Sequence, residues 1–356
     1  SSDLRQEMIS MGRQPVKNNL IMTLEVIKRH SDVDHRLTQK NIQEYLQTDF
    51  ELTCDRKTVK RNLMNLIEFG FDIEYTEIER KNGSQKSVDD VNVIITDIYY
   101  NHTLEPSEVK LISDGLLFSR YVTGRETERL ISKIEKQSSP FAENRIKGSV
   151  NYETIGHTEN AQVLYTVELL NQAIEEKKQI EFLYCEYGTD KKLHPKKTDK
   201  YIINPYYTVT ANGRYYLICN VDKYDNIANF RVDKILEIQL IDMPQKDIRK
   251  TAGNSHGFDL SKYMKDHIYM FSGETVNAEL EVDRFLIGQI IDWFGKGFNV
   301  LSESNDKCVI SLKVNENALF YWTMQYSQFV KIIKPQSVAD RVVAVARDII
   351  LKYGEE

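Results

Sequence analysis

Between residue 15 and about residue 70, apolar positions recur at helical spacing. Val16–Arg29 carries Leu20, Leu24 and Ile27 on one face, and a second helical segment, Leu37–Leu46, follows. Thr38 is placed to cap that second segment, with Leu37 before it and Ile42 after it as a hydrophobic staple. A third helix is expected to start near Cys54 or Asp55, capped by Thr53 or Asp55. Val59, Leu63, Leu66 and Ile67 line one face of it, and Gly70 stops it. From Phe71 the period drops to two. Phe71, Ile73 and Tyr75 alternate with polar residues, Val91–Ile95 supplies a partner strand, and Asn82-Gly83 lies in the polar tip between them. Three short helices followed by a hairpin make a winged helix-turn-helix pattern.

Residues 104–137 return to helical spacing, with Pro106 at a helix start. Residues 138–160 are polar, with Ser-Ser-Pro and two glycines, and read as a linker. A helix over Leu164–Lys177 then gives way to short alternating strands. These are Ile180–Tyr184, Tyr201–Ile203, Tyr207–Val209, Tyr215–Cys219, Phe230–Val232 and Ile235–Leu240, with Asn212-Gly213 as a tight turn. Strands this short and this closely linked predict a small, strongly bent sheet or barrel. After a Gly/Ser-containing connection at 251–257, the chain alternates strand and helix: Val276–Val282, Phe285–Phe294, Val309–Val314, Asn317–Tyr326, Val330–Ile333 and Val338–Tyr353. The predicted class is multidomain α+β. Residues 1–100 form the winged helix-turn-helix, 101–160 a helical linker, 161–250 the small β-barrel and 251–356 an α+β module expected to dimerise.

Composition narrows the chemistry. The 356 residues hold 47 Lys+Arg against 53 Asp+Glu, a net charge of −6, which on its face disfavours nucleic acid. No apolar run approaches the roughly 18–20 residues of a membrane span, and Ser1-Ser2-Asp3 opens no signal-like apolar stretch, so a cytoplasmic protein is expected. The four cysteines are scattered without a CxxC pair, against a zinc ribbon or disulfide scaffold. Gly295-Lys296-Gly297 lacks the frame of a phosphate loop, and no HExxH, GxSxG or Cys/His protease signature occurs. Neither catalysis, a cofactor nor a metal is expected.

The charge is unevenly placed. Residues 1–100 carry 14 basic and 17 acidic residues, whereas 161–250 carry 14 and 13 and are the only positive stretch. Arg56-Lys57-Thr58-Val59-Lys60-Arg61 holds four cations and no anion at the start of the third helix. Val59 belongs to the apolar stripe, so Arg56, Lys57, Lys60 and Arg61 should project mostly outward. Arg80, Lys81 and Lys86 cluster at the hairpin tip. A recognition helix enters the major groove by its N-terminal turns, where Arg and Lys reach guanine edges or phosphates and a wing tip grips neighbouring phosphates. Ordinary solvated charge on two surface elements is the plainer alternative.

At these residues the chain resembles a known family. Leu37-Thr38, Ile42, Leu46 and then Asp55–Leu63, Leu66 and Gly70 resemble the DeoR-type winged helix of bacterial regulators. Ile180–Tyr184, Asn204-Pro205-Tyr206-Tyr207, Gly213–Ile218 and Phe230-Arg231-Val232-Asp233-Lys234-Ile235 resemble the WYL domain. Ile291-Asp292-Trp293-Phe294 and the closing strand and helix resemble the extension that commonly follows it. Tyr215 stands where Trp gives the domain its name, and Lys234 where Arg is usual. Tyr keeps a large amphipathic ring, while Lys gives up bidentate recognition.

The resemblance implies an Sm-like barrel that senses a nucleotide or oligonucleotide-type effector, in a homodimeric regulator of duplex operator DNA. Repression is the family habit. Tyr184, Tyr215 or Tyr216, Arg231 and Lys234 would combine stacking surfaces with cations, as single strands require. His194 and Lys196 lie in a lysine-rich loop, with Lys191, Lys192, Lys197 and Lys200, that could line the same site. By strand alternation one of Tyr215 and Tyr216 must face the core, and Arg231 has Asp233 or Glu181 as a structural partner. A single-stranded nucleic-acid accessory protein without operator specificity is the alternative function.

Overall fold

The computed structural model describes residues 18–80, 92–142 and 157–354. The chain divides into two compact units. One holds the described residues up to 118 together with 124–142, and the other holds 119–123 together with 157–354.

In the first unit, α1 (Asn19–His30), α2 (Gln39–Phe50) and α3 (Arg56–Glu68) precede an antiparallel pair, β1 (Ile73–Arg80) and β2 (Asn92–Tyr100). Thr38 caps α2 in a full capping box with Asn41, and Asp55, not Thr53, caps α3 by accepting the Thr58 amide at 2.7 Å. Gly70, at φ +91°, takes the left-handed position past α3, and the Phe71 amide reaches back to the Leu66 carbonyl. Leu37 forms a bridge with Ile98, tying the loop before α2 to β2. Val59, Leu63 and Leu66 pack against Ile27, Ile42, Leu46 and Ile98. Each such buried side chain contributes about 1.5–3 kcal/mol. The stretch expected to be helical over 104–137 is two helices, α4 (Pro106–Leu117) and α5 (Gly124–Glu135). Lys81 and Lys86 fall outside the described residues, as does much of the expected linker.

In the second unit, α6 (Val163–Glu175) lies on a curled sheet of β3 (Lys178–Tyr187), β4 (Leu193–Pro195), β5 (Tyr201–Ala211), β6 (Arg214–Val221), β7 (Ile227–Arg231) and β8 (Ile235–Pro244). The ladders run β8-β3-β5-β6-β7, and β4 pairs with the far end of β3. Among the described residues no ladder joins β7 to β8; a single 3-10 turn, Val232–Lys234, connects them. The two strands expected on either side of Asn204-Pro205 are one. Pro205 lacks an amide donor, and the register shifts between Pro205 and Tyr207, a bulge that lets the strand continue. Asn212 and Gly213, at φ +50° and +67°, make the hairpin turn between β5 and β6.

A second sheet, ordered β10-β11-β9-β12, follows in the same unit. It contains β9 (Thr275–Asp283), β10 (Asn299–Glu303), β11 (Lys307–Asn315) and β12 (Val330–Lys334). Four helices accompany it: α7 (Leu260–Asp266), α8 (Ile287–Phe294), α9 (Glu316–Gln325) and α10 (Gln336–Tyr353). The pattern missed β10 and α7. Every residue of β10 is exposed and none of α7 is buried, so neither carries an apolar stripe to read.

Candidate nucleic-acid interface and ligand site

Two clusters answer to the predicted residues. On α3, the Asp55 side chain accepts from the Thr58 amide and so caps the helix start. Its carboxyl is held below the usual carboxylate range chiefly by that amide. Arg56, Lys57 and Arg61 are exposed and Val59 is buried. Thr58 is half-buried at the cap. Lys60 departs from expectation: its Nζ donates to the Val93 carbonyl of β2 at 3.2 Å, so it braces helix to hairpin instead of projecting freely. Arg80 closes β1, opposite Asn92.

The second cluster sits where β3, β6 and β7 meet. Asp233, fully buried in the turn after β7, accepts from Arg231 Nε at 3.0 Å and Nη2 at 2.6 Å, and from Arg214 Nη1 at 3.4 Å. Of the two partners open to Arg231, Asp233 is the one it has; Glu181 pairs with Lys200. The Arg231 amide donates to Tyr184 Oη at 3.3 Å. Burial pushes the Tyr184 phenol up to about 12. Its ring packs edge-on against Phe230, at 4.8 Å between centroids.

Alternation along β6 separates the two tyrosines. Tyr216 is registered opposite Arg231, and the Arg231 and Arg214 cations temper the rise that burial gives its phenol. Tyr215 packs on the apolar cluster and meets the Tyr121 ring at a tilt, 5.3 Å between centroids. Lys234 lies 6.0 Å from the Tyr187 ring, and burial and the Arg231 charge lower its pKa.

The loop residues are more committed than the sequence suggested. His194 pairs with Asp190 at 2.9 Å, Lys196 with Glu186 at 2.8 Å, and Lys197 rests on the Tyr201 ring at 3.7 Å. Tyr184, Tyr216, Arg231 and Lys234 are thus brought together, whereas Tyr215 and His194 are turned to other partners. Arg214 is the member that residue-by-residue reasoning missed. The signal was its place in the Gly-Arg-Tyr-Tyr run, whose tight turn carries it to Asp233.

A roomier cleft lies elsewhere among the described residues. It is a cleft of about 610 Å³ in the first unit, lined by Glu25, Lys28, Tyr100, His102, Glu135 and Lys136, with both signs of charge. No predicted site residue lines it, so the chemistry of the cation and tyrosine cluster outweighs its volume. No trio of His, Cys, Asp or Glu among the described residues is placed to hold a metal. No helix there is long and apolar enough to cross a membrane.

Comparison with known proteins fixes the second cluster's setting: residues 165–240 match the family model for the WYL domain. The central segment is a WYL domain. It spans α6 through most of β8 and contains Tyr184, Arg214, Tyr216, Arg231 and Lys234. No curated protein matches the chain. Two solved structures are similar. Proteasome accessory factor B/C (PafBC) of Arthrobacter aurescens has 15% identity and a TM-score of 0.29, covering 97% of this chain and 51% of that one. A CRISPR Cas-related protein has 10% identity and a TM-score of 0.38, covering 97% and 89%. The chain therefore spans about half the length of the PafBC chain.

Proposed function

We propose that this chain is a ligand-responsive transcriptional regulator, a repressor by preference. It binds duplex operator DNA as a homodimer through a winged helix-turn-helix and senses a nucleotide or oligonucleotide-type effector in an Sm-like WYL barrel. The observation that carries the reading is the start of α3. Arg56, Lys57 and Arg61 stand exposed on the first turns of the third helix, ahead of a hairpin and in one chain with a WYL domain. A helix presented in this way reads the major groove, and cations there contact guanine or phosphate. The net −6 does not oppose this, because phosphate contacts are local and the run Arg56–Arg61 holds four cations and no anion. The reading assigns no catalytic step.

Anisotropy titration with DNA from upstream of the protein's own gene tests it. Lys57→Ala with Arg61→Ala should weaken binding at least tenfold and flatten its salt dependence by about two counterions. Unchanged affinity would sink the assignment of α3.

The alternative, a single-stranded nucleic-acid accessory protein, draws on the Tyr216, Arg231 and Lys234 cluster. It requires single-strand binding that Arg231→Gln abolishes, with no duplex binding that depends on Lys57 and Arg61. Homodimer formation has support in α10, where Val343, Ile350, Leu351 and Tyr353 are exposed.

A further inference from the structure

The segment 119–123 links α4 to α5, yet it packs with the WYL-containing unit. Three of its residues are fastened there. The Arg120 amide donates to the Gly213 carbonyl at 3.1 Å, the Tyr121 ring packs at a tilt against Tyr215, and the Val122 carbonyl meets His157 Nδ1 at 3.0 Å. One further bond runs from the ligand cluster itself: Arg214 Nη1 donates to the Arg120 carbonyl at 2.9 Å, and the same nitrogen reaches Asp233 at 3.4 Å.

We propose that Arg214 is a positioning residue that couples occupancy of the WYL ligand site to the docking of segment 119–123. The proposal rests on the reading of that site as one for phosphate-bearing ligands.

The geometry gives the direction. Asp233 is already filled by the bidentate Arg231, and Arg214 makes the longest of its three contacts. Arg214 is therefore the guanidinium least held by the buried carboxylate. A phosphate resting against Tyr216 and Arg231 would accept from both guanidinium groups, because planar forks favour bidentate phosphate contacts. The fork is rigid and planar, so turning it onto the ligand rotates Nη1, the nitrogen that holds the Arg120 carbonyl, away from that oxygen. Ligand and segment compete for one side chain, so occupancy loosens the segment. The coupling is reciprocal: fixing the segment must weaken the ligand by the same factor. Since 119–123 is the direct covalent link between α4 and α5, its release is felt by the helices of the N-terminal unit without any ligand reaching them.

The test is hydrogen exchange by mass spectrometry on the full chain, with and without a short 5′-phosphorylated single-stranded DNA. Anisotropy on the same oligonucleotide measures binding separately. In the wild type, exchange across Arg120–Val122 should rise roughly tenfold on addition of the oligonucleotide, as expected when a hydrogen bond from a charged donor is lost. Arg214→Gln should exchange fast from the start, still bind the oligonucleotide more weakly through Arg231, and show no further rise. Arg214→Lys, which keeps the charge but not the fork, should respond in a reduced way, and covers the case in which the glutamine variant misfolds. Oligonucleotide binding with no change in exchange, or an equal response in wild type and Arg214→Gln, overturns the coupling and leaves the ligand site standing. Absence of binding in the wild type, or binding that Arg231→Gln leaves unaltered, overturns the ligand reading and the coupling with it.

Discussion

Asp233 is the residue on which the second unit's polar chemistry turns. It is fully buried and shared by two arginines, and such a group is costly to disturb by halves. Asp233→Ala should destabilise the WYL-containing unit by about 3–5 kcal/mol, because it leaves two guanidinium groups without their carboxylate. Urea unfolding of the full chain, followed by a probe in that unit, would show it, and a loss under about 1 kcal/mol would contradict it. Leu63 is the apolar counterpart in the first unit. Leu63→Ala removes a buried side chain at the meeting of three helices and should cost about 2–5 kcal/mol, read from denaturant midpoints. The cost should appear in DNA binding only as far as folded protein is lost.

At the scale of elements, the short α7 and the strand β7 are joined by side chains from both. Asn229 Nδ2 donates to Tyr263 Oη at 2.9 Å and to the Met270 carbonyl at 3.2 Å, and His267 stacks on Tyr263 at 3.9 Å. Burial lowers the His267 pKa, against the opposing pull of its backbone contacts and of Asp266. A base whose folded pKa is depressed takes up its proton more readily when unfolded. Its contribution to stability is therefore complete above the unfolded value of about 6.5 and is lost as pH falls toward the folded one. His267→Phe keeps a ring on Tyr263 and removes the titration, so stability of this junction should vary less between pH 7 and pH 5 than in the wild type. Thermal unfolding across that range decides the matter, and parallel pH profiles would reject it. On α10 the apolar residues of one face, Val338, Val342 and Val345, pack on or into the core, while Val343, Ile350 and Tyr353 face out. Under the proposed homodimer, replacing Ile350 by Glu should leave the fold intact and shift sedimentation toward the monomer; a wild type that sediments as a monomer, or a dimer the variant leaves unchanged, would reject α10 as the interface.

For the whole molecule, the order of periods along the chain carried most of the architecture. Helical spacing marked the three N-terminal helices, and alternation marked the hairpin and most strands of both sheets, though not β4 or β10. Their boundaries were legible because caps and stops are local: Thr38, Asp55, Gly70 and Asn212-Gly213 act within a few residues of themselves. The stretch at 118–123 was not legible as a break. Phe118 and Val122 maintain an apolar look, and what interrupts the helix is a fastening to Gly213 and Tyr215, some ninety residues away. Pro205 misled in the other direction. Proline within a run normally argues for a break, but a bulge absorbs it here.

The candidate sites divide along the same line. Which residue types could bind phosphate or stack on a base is a property of the side chains, and the basic turn of α3 and the Tyr/Arg/Lys set of the WYL domain could be named from the chain alone. Which of those groups are already spent is a property of distant neighbours. Lys60 is engaged by Val93, His194 by Asp190, Lys196 by Glu186 and Arg231 by Asp233, and Tyr216, not Tyr215, lies across from Arg231. Local pattern follows from covalent spacing and backbone preference, both written in order along the chain. Partnership follows from which strands lie side by side, and register across a sheet is set by the packing of the entire core.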